Sequence, residues 1–409
     1  MSYEFDARAE RRLREYLDEI GGILRHKPKR EVFALYAMGL LSNLERKSVE
    51  PIAAYLAPEP RDVDPMHQRL LHLQSTAAWD DRAVRLCAAR YAVRALTEHE
   101  GVRAWIIDDT GFLKQGTHSV GVQRQYTGSA GKITNCQVGV SLTLASASAH
   151  VPVDFELYLP QSWTEDPARR RAGKIPDEVV FKTKIDLALD MIGRAAEAEL
   201  PGQVVLADAA YGDSKDFRAT VRLHGLDYAV GVSSSTIVRL VDKQRRPTGV
   251  VTAARNLAEV LPAHAFRRIT WRQGTRTRLS ARFAFFRVTT PADGDEGDVQ
   301  WLILEWRDGE KDPEHFALTS LGTDGKMSKK KIVRLFKERW RTEKAYEEMK
   351  GELGLDHFEG RSFRGWHHHV SVVLCCYAFI VAERARYGLP CARSLPGRPS
   401  TPHPLPLAA

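Results

Sequence analysis

The sequence predicts a mixed α/β chain: a helical N-terminal segment, a sheet-containing core, and a β-rich block that interrupts the core. Three observations predict this class. Residues 1–100 repeat apolar side chains at helical spacing. Two short apolar runs, 102–109 (VRAWIIDD) and 203–208 (QVVLAD), each end in a carboxylate, as buried strands do when they stop at the edge of a sheet. Residues 234–325 are rich in β-branched and aromatic residues between segments of mixed pattern.

Taken in order, residues 7–20, 30–44 and 66–96 read as helices, with a Pro-rich break over 51–65. This segment, 1–100, is basic at its start, through Arg8, Arg11, Arg12 and Arg14 and then Lys27, Lys29 and Arg30. It is expected to be a helical domain with DNA contacts. The core resumes over 101–233. The strand at 102–109 leads into a Gly-rich polar loop. Residues 133–145 and 151–159 read as two further strands of an antiparallel meander, joined by a turn of small residues. A polar loop at 160–176 contains Trp163 and the run Arg169, Arg170, Arg171. A helix over 177–200, the strand at 203–207, a helix over 214–223 and a strand over 227–232 complete this part.

The block 234–325 offers strands at 266–271, 277–288, 299–306 and 314–320, with a turn at 291–297 (PADGDEG). Residues 326–387 supply the C-terminal helices of the core. The first starts at Met327 with Ser328 as a candidate N-cap, and the second runs over about 366–386. Residues 388–409 are rich in Pro and small side chains and are expected to be disordered.

Composition narrows the class. The chain carries 60 Lys and Arg against 52 Asp and Glu, a net charge of +8, which favours a polyanionic partner. The five cysteines form no CxxC pair, so neither a zinc ribbon nor a disulfide framework is expected. The polar N-terminus does not resemble a signal peptide. The apolar run 370–382 is too short to span a bilayer. A non-membrane protein of a reducing compartment is expected. Three consecutive histidines, His367 to His369, point in different directions on a helix, which disfavours a shared ion; a helix start near DNA or a surface position is expected.

The stretch FKERWRTEKAYEEMK holds the most chemistry. Phe336, Arg339, Glu343 and Lys350 are spaced by 3, 4 and 7 residues, which puts all four on one face of a continuous helix. An acid between two cations fits a metal ligand flanked by phosphate-binding groups. The strands ending at Asp109 (or Asp108) and Asp208 supply two more carboxylates. Mg²⁺ takes oxygen ligands of this kind and keeps room for substrate phosphates. A pair of such ions can activate water and stabilise the leaving oxygen of a phosphodiester. The lead-in is dense in cations, with Lys329, Lys330, Lys331, Arg334 and Lys337 before the acid, and DNA contact is expected there.

Four motifs carry a resemblance: IIDDTGFLKQGTHSVGVQRQYTG with KITNCQVGVSL, LYLPQSW, LADAAYGD, and RWRTEKAYEEMKGELGLDHFEGRSFRGWHHHV. Together they span roughly residues 106–370. In them the chain resembles DDE transposases of bacterial insertion sequences, in the broad IS4-like group and most closely the IS701 type. That family's third motif is Tyr-x2-Arg-x3-Glu-x6-Lys. Arg339, Glu343 and Lys350 match it, and Phe336 stands where the family has Tyr. The resemblance implies an RNase H-like catalytic core with a β-rich insertion between the second Asp and the Glu.

It also implies roles. Asp109 is the expected first metal ligand, with Asp108 the next candidate; Asp208 and Glu343 are the second and third. Arg339 and Lys350 are expected to grip phosphates as charge-assisted donors. Lys330, Lys331 and Lys337 are candidate DNA contacts. In relatives an aromatic of the insertion stacks on a flipped base, and Trp306 (or Trp301) is the candidate here, although either also suits a sheet core. The implied activity is cleavage and strand transfer at terminal inverted repeats, dependent on Mg²⁺ or Mn²⁺ and two ions. The implied partners are double-stranded DNA, as transposon ends and target, and a second copy in a synaptic complex, in the bacterial cytoplasm at the nucleoid. A catalytically inactive, transposase-derived DNA-binding protein is the alternative. A two-carboxylate sugar hydrolase leaves the basic helix unexplained.

Overall fold

The structure is a computed structural model, and it describes residues 7–273, 278–291 and 297–388. The expected tail and most of the expected turn at 291–297 lie outside the described residues. The chain divides into two compact units. The first comprises Met1–Val102, Asp109–Pro201 and Arg341–Ala409; the second comprises Arg103–Asp108 and Gly202–Trp340.

The first unit opens with five helices: α1 (Ala7–Leu24), α2 (Lys27–Leu41), α3 (Val49–Leu56), α4 (Val63–Ser75) and α5 (Asp81–Thr97). Two boundaries differ from expectation. Pro51 lies inside the first turn of α3, where a missing N–H costs nothing, so this proline starts a helix and does not interrupt one. The single helix expected over 66–96 is broken before Asp80, whose carboxylate caps α5 by accepting from the Ala83 amide at 2.9 Å.

Strand β1 (Ala104–Leu113) runs through both acids of VRAWIIDD and five residues beyond Asp108. The polar loop expected after it contains a strand, β2 (Gln123–Thr127), paired antiparallel with β3 (Lys132–Ala145). Strand β4 (His150–Tyr158) pairs antiparallel with β3. The polar segment 160–176 holds two short helices, α6 (Gln161–Thr164) and α7 (Pro167–Gly173), the second capped by Asp166. Helix α8 (Lys184–Glu197) begins seven residues later than expected, at a capping box made by Thr183 and Asp186.

The second unit contains β5 (Val204–Ala207), α9 (Ala209–Gly212), α10 (Lys215–Leu223) and β6 (Asp227–Val232). It continues with β7 (Ile237–Val241), β8 (Pro247–Ala253), α11 (Ala254–Val260), β9 (Arg267–Gln273), β10 (Arg278–Thr289), β11 (Gln300–Trp306), β12 (His315–Thr319) and α12 (Lys329–Phe336). Its sheet is mixed. The first residues of β1 pair parallel with β5, and β5 pairs parallel with β6. Beyond β6 the pairing is antiparallel, through β12, β11 and β10, with β9 and β7 both on β10 and β8 on β7.

The chain then returns to the first unit with α13 (Trp340–Leu353) and α14 (Phe363–Arg386). The long helix expected from Met327 is therefore not continuous. Phe336 ends α12, and Lys337–Arg339 form a 3₁₀ turn before α13. The tighter pitch of that turn means Phe336 and Glu343 do not share one uniform helical face.

Helix α14 is the core of the first unit. It is long and apolar enough to cross a membrane by composition, yet its whole apolar window is buried inside the fold. That burial also corrects the expected surface position of the histidines. His367, His368 and His369 are each under 5 % exposed and have separate partners. His367 Nε2 meets Glu156 at 3.2 Å, His368 Nδ1 meets the Gln74 carbonyl at 2.9 Å, and His369 Nδ1 meets the Tyr36 hydroxyl at 2.7 Å.

Charges are also buried here. Arg85 on α5, 2 % exposed, donates through Nε to Asp154 on β4 at 3.0 Å and bonds Asp81 through Nη1. Arg194 on α8 donates to Asp154 at 2.7 Å and to Glu156 at 3.0 Å. The network ties helix, strand and helix together inside one unit, and each buried charge has an opposite partner.

Candidate functional site

Successive side chains on a strand point to opposite faces, so Asp108 and Asp109 diverge on β1. The structure gives each a different cation. Within the second unit, Arg339 Nη1 donates to Asp108 Oδ2 at 3.2 Å, and Asp108 is only 8 % exposed. Within the first unit, Lys184 Nζ, at the start of α8, donates to Asp109 Oδ2 at 3.0 Å. Both contacts are charge-assisted.

Thr110, two residues after Asp108, lies on the same strand face. Lys350 Nζ, in the last turn of α13, donates to Thr110 Oγ1 at 3.0 Å and to the Gly111 carbonyl at 2.7 Å. Burial pushes the Lys350 ammonium below the usual lysine range, and Asp356 partly offsets it. The two cations expected to clamp phosphate thus both reach β1, each inside its own unit.

Glu343 is placed by the residues around it. On the buried side of α13, Thr342 Oγ1 bonds Thr143 at 2.9 Å and the Tyr346 hydroxyl bonds Ser141 at 2.6 Å, both on β3. Ala345 and Met349 are fully buried on the same side. Glu343 stands on the exposed side of this anchored helix.

Asp208 follows β5 directly and is the N-cap of α9, its carboxylate accepting from the Ala210 amide at 3.0 Å. The tight strand-to-helix passage depends on two glycines. A Cβ on Gly212 would lie 2.0 Å from the Gly231 carbonyl, and one on Gly231 would lie 3.0 Å from the Ala209 amide. In AAYGD the glycine is therefore there for close approach to β6.

The candidate DNA contacts divide into two groups. Lys330 and Lys331 are exposed on the first turn of α12. Lys337 instead bonds both Glu305 carboxylate oxygens at 2.6 Å and lies 4.9 Å from the Trp271 ring centroid; burial lowers its pKa. Trp306 donates to the Glu310 carbonyl at 3.0 Å and is covered by the Arg282 guanidinium at 3.8 Å. Trp301 donates to the Gly322 carbonyl at 3.2 Å, with Arg287 over its ring at 4.9 Å. Both indoles are half-buried in the sheet.

Among the described residues, no three His, Cys, Asp or Glu side chains lie close enough together to hold one metal ion. The donor chemistry still fits a hard cation, because every candidate ligand is a carboxylate and Mg²⁺ commonly takes one or two of these, completing its shell with water and phosphate. Sequence reasoning missed Lys184 and Thr110. Thr110 could have been found by extending the first strand past its acids, since alternation then places it with Asp108.

The chain is 28% identical over 215 residues to a probable transposase for insertion sequence element IS701 from Microchaete diplosiphon, covering 52% of each chain. It thus spans about half the length of that relative. A cryo-EM structure of a piggyBac transposase synaptic complex with hairpin DNA aligns with 90% of this chain and 68% of its own, at 10% identity and a TM-score of 0.45. The family description DDE superfamily endonuclease matches residues 19–278, more than half of the 409 residues, and the chain belongs to that family.

Proposed function

We propose that this chain is a transposase that cleaves DNA at the ends of an insertion sequence and joins the freed 3′ end to target DNA. Its catalytic core would have RNase H-like connectivity, a reading supported by the parallel pairing of β1, β5 and β6 in one unit and the antiparallel pairing of β3 with β4 in the other. The helices of residues 7–97 would add DNA contacts. Double-stranded DNA, as element ends and target, is the substrate, and two copies would hold the paired ends in the cytoplasm at the nucleoid.

Asp108, Asp208 and Glu343 would hold the divalent cations, Mg²⁺ or Mn²⁺, which supply an activated water and Lewis-acid stabilisation of the leaving oxygen. Asp109 is the alternative first acid. The observation that supports the choice of Asp108 is the Arg339 contact to it. Lys184 reaches Asp109. Arg339 and Lys350 would orient the scissile phosphate and neutralise its charge. Lys330 and Lys331 would contact the backbone of the flanking duplex.

The test uses purified protein and plasmid DNA carrying the sequences that flank the gene. Wild-type protein with Mg²⁺ or Mn²⁺ is expected to cut one strand at each end. Asp208→Asn is expected to bind the same ends without cutting. Cutting by Asp208→Asn at the wild-type rate would remove the assignment.

A further inference from the structure

The hairpin of β2 and β3 carries an aromatic and apolar face that is largely exposed. Tyr126 and Ile133 are direct cross-strand partners and are 62 % and 60 % exposed. A single exposed apolar residue needs no explanation, but this pair shares its face with a cation. Arg124, two residues before Tyr126 and so on its face, is exposed. Between Asp109 and Asp154 the sequence has no Asp or Glu, in a chain that contains 52. The surface is built to meet negative charge, with a flat ring at its centre.

The position of the hairpin gives that surface a purpose. Thr127 Oγ1 and Ser129 Oγ bond each other at 2.9 Å, and Ser129 Oγ donates to the Gly111 carbonyl at 3.4 Å. A Cβ on residue 111 would lie 2.1 Å from Thr127 Oγ1, so the hairpin reaches β1 only because that residue is glycine. Lys350 Nζ donates to the same carbonyl at 2.7 Å. Within the first unit, then, the turn after Tyr126 is fastened beside Lys350 and Thr110.

We propose that this face is a platform for a DNA strand next to the cleavage site. Tyr126 stacks on an unpaired base, Ile133 extends the apolar floor, and Arg124 meets an adjoining phosphate. The inference rests on the reading of the chain as a DNA-cleaving enzyme and adds to it a contact that favours unpaired over duplex DNA.

The experiment measures fluorescence anisotropy of a labelled oligothymidylate strand and a labelled duplex of equal length, with the full chain at several salt concentrations. Tyr126→Ala is expected to weaken strand binding about tenfold, the order of one base–aromatic stack, and duplex binding less than about twofold. Tyr126→Phe keeps the ring and is expected to stay within about twofold of wild type on both. Arg124→Gln is expected to reduce the salt slope by about one. Wild-type strand affinity in Tyr126→Ala overturns the platform and leaves the DNA-cleaving reading standing. So does an equal loss on strand and duplex, and so does a loss of self-association by Tyr126→Ala in sedimentation with no change in DNA binding. Failure of the wild-type chain to bind either probe overturns both readings. Tyr126 is exposed, and an unchanged thermal melt identifies a folded variant.

Discussion

Arg339 donates to Asp108 at 3.2 Å, although the two residues stand 231 apart in the sequence. One belongs to the first acidic motif and the other to the third. In the proposed site this guanidinium would orient the carboxylate and meet a phosphate. Arg339→Gln is therefore expected to lower the cleavage rate about 10²- to 10³-fold. Arg339→Lys is expected to restore little, since an ammonium lacks the planar fork. Single-turnover cleavage rates check this, and a wild-type rate for Arg339→Gln would remove Arg339 from the site.

Lys350 is half-buried on Thr110 and Gly111. If it also meets a phosphate, Lys350→Ala will weaken DNA binding and reduce the slope of log affinity against log salt by about one. A lowered affinity with an unchanged slope would instead assign Lys350 to holding β1 in place.

The candidate acids were legible because apolar runs that end in acids are unusual. Asp108, Asp109 and Asp208 were found in that way, before any fold was known. The hairpin strand β2 was not, because QRQYT has no apolar alternation and is held by its pairing with β3. The break at Lys337–Arg339 was hidden for a related reason. The spacing of Phe336, Arg339, Glu343 and Lys350 is compatible with one helix, and only the tertiary position of Lys337 on Glu305 shows that the segment turns there. The three histidines look like surface residues by polarity, but α14 is enclosed on all sides, and each ring finds its own acceptor or donor.

That enclosure has a pH consequence. Neither ring nitrogen of His150 has a hydrogen-bond partner among the described residues. Burial, with Arg341, Arg384 and Lys344 nearby, holds its pKa down to about 3. Burial likewise holds His368 and His369 down to about 4, against the backbone carbonyls that raise them. The folded chain keeps these rings neutral, while the unfolded chain protonates them near the ordinary value of 6.5. The stability they confer is present above pH 6.5 and is lost as pH falls toward 4. Urea unfolding between pH 7 and 5 is expected to show this decline, and His150→Leu is expected to make it shallower by about one proton's worth, ~1.4 kcal/mol per pH unit. An unchanged pH slope in His150→Leu would contradict the account of that ring.

Arg85 is surrounded by Asp81, Asp154 and Glu156 with almost no water contact. Arg85→Met leaves buried carboxylates short of a partner and is expected to cost about 3–5 kcal/mol of unfolding free energy. Denaturant titration measures it. A loss below about 1 kcal/mol would mean that Arg194 compensates fully.

Strand cleavage by Asp108→Asn and Asp109→Asn, compared side by side on DNA carrying the element ends with Mg²⁺ or Mn²⁺, tests the central claim most directly. Asp108→Asn is expected to bind the ends and leave them uncut, while Asp109→Asn, which loses the charge that Lys184 meets, still cuts. Cutting by Asp108→Asn at the wild-type rate would contradict the assignment of Asp108 as the first acid of the triad.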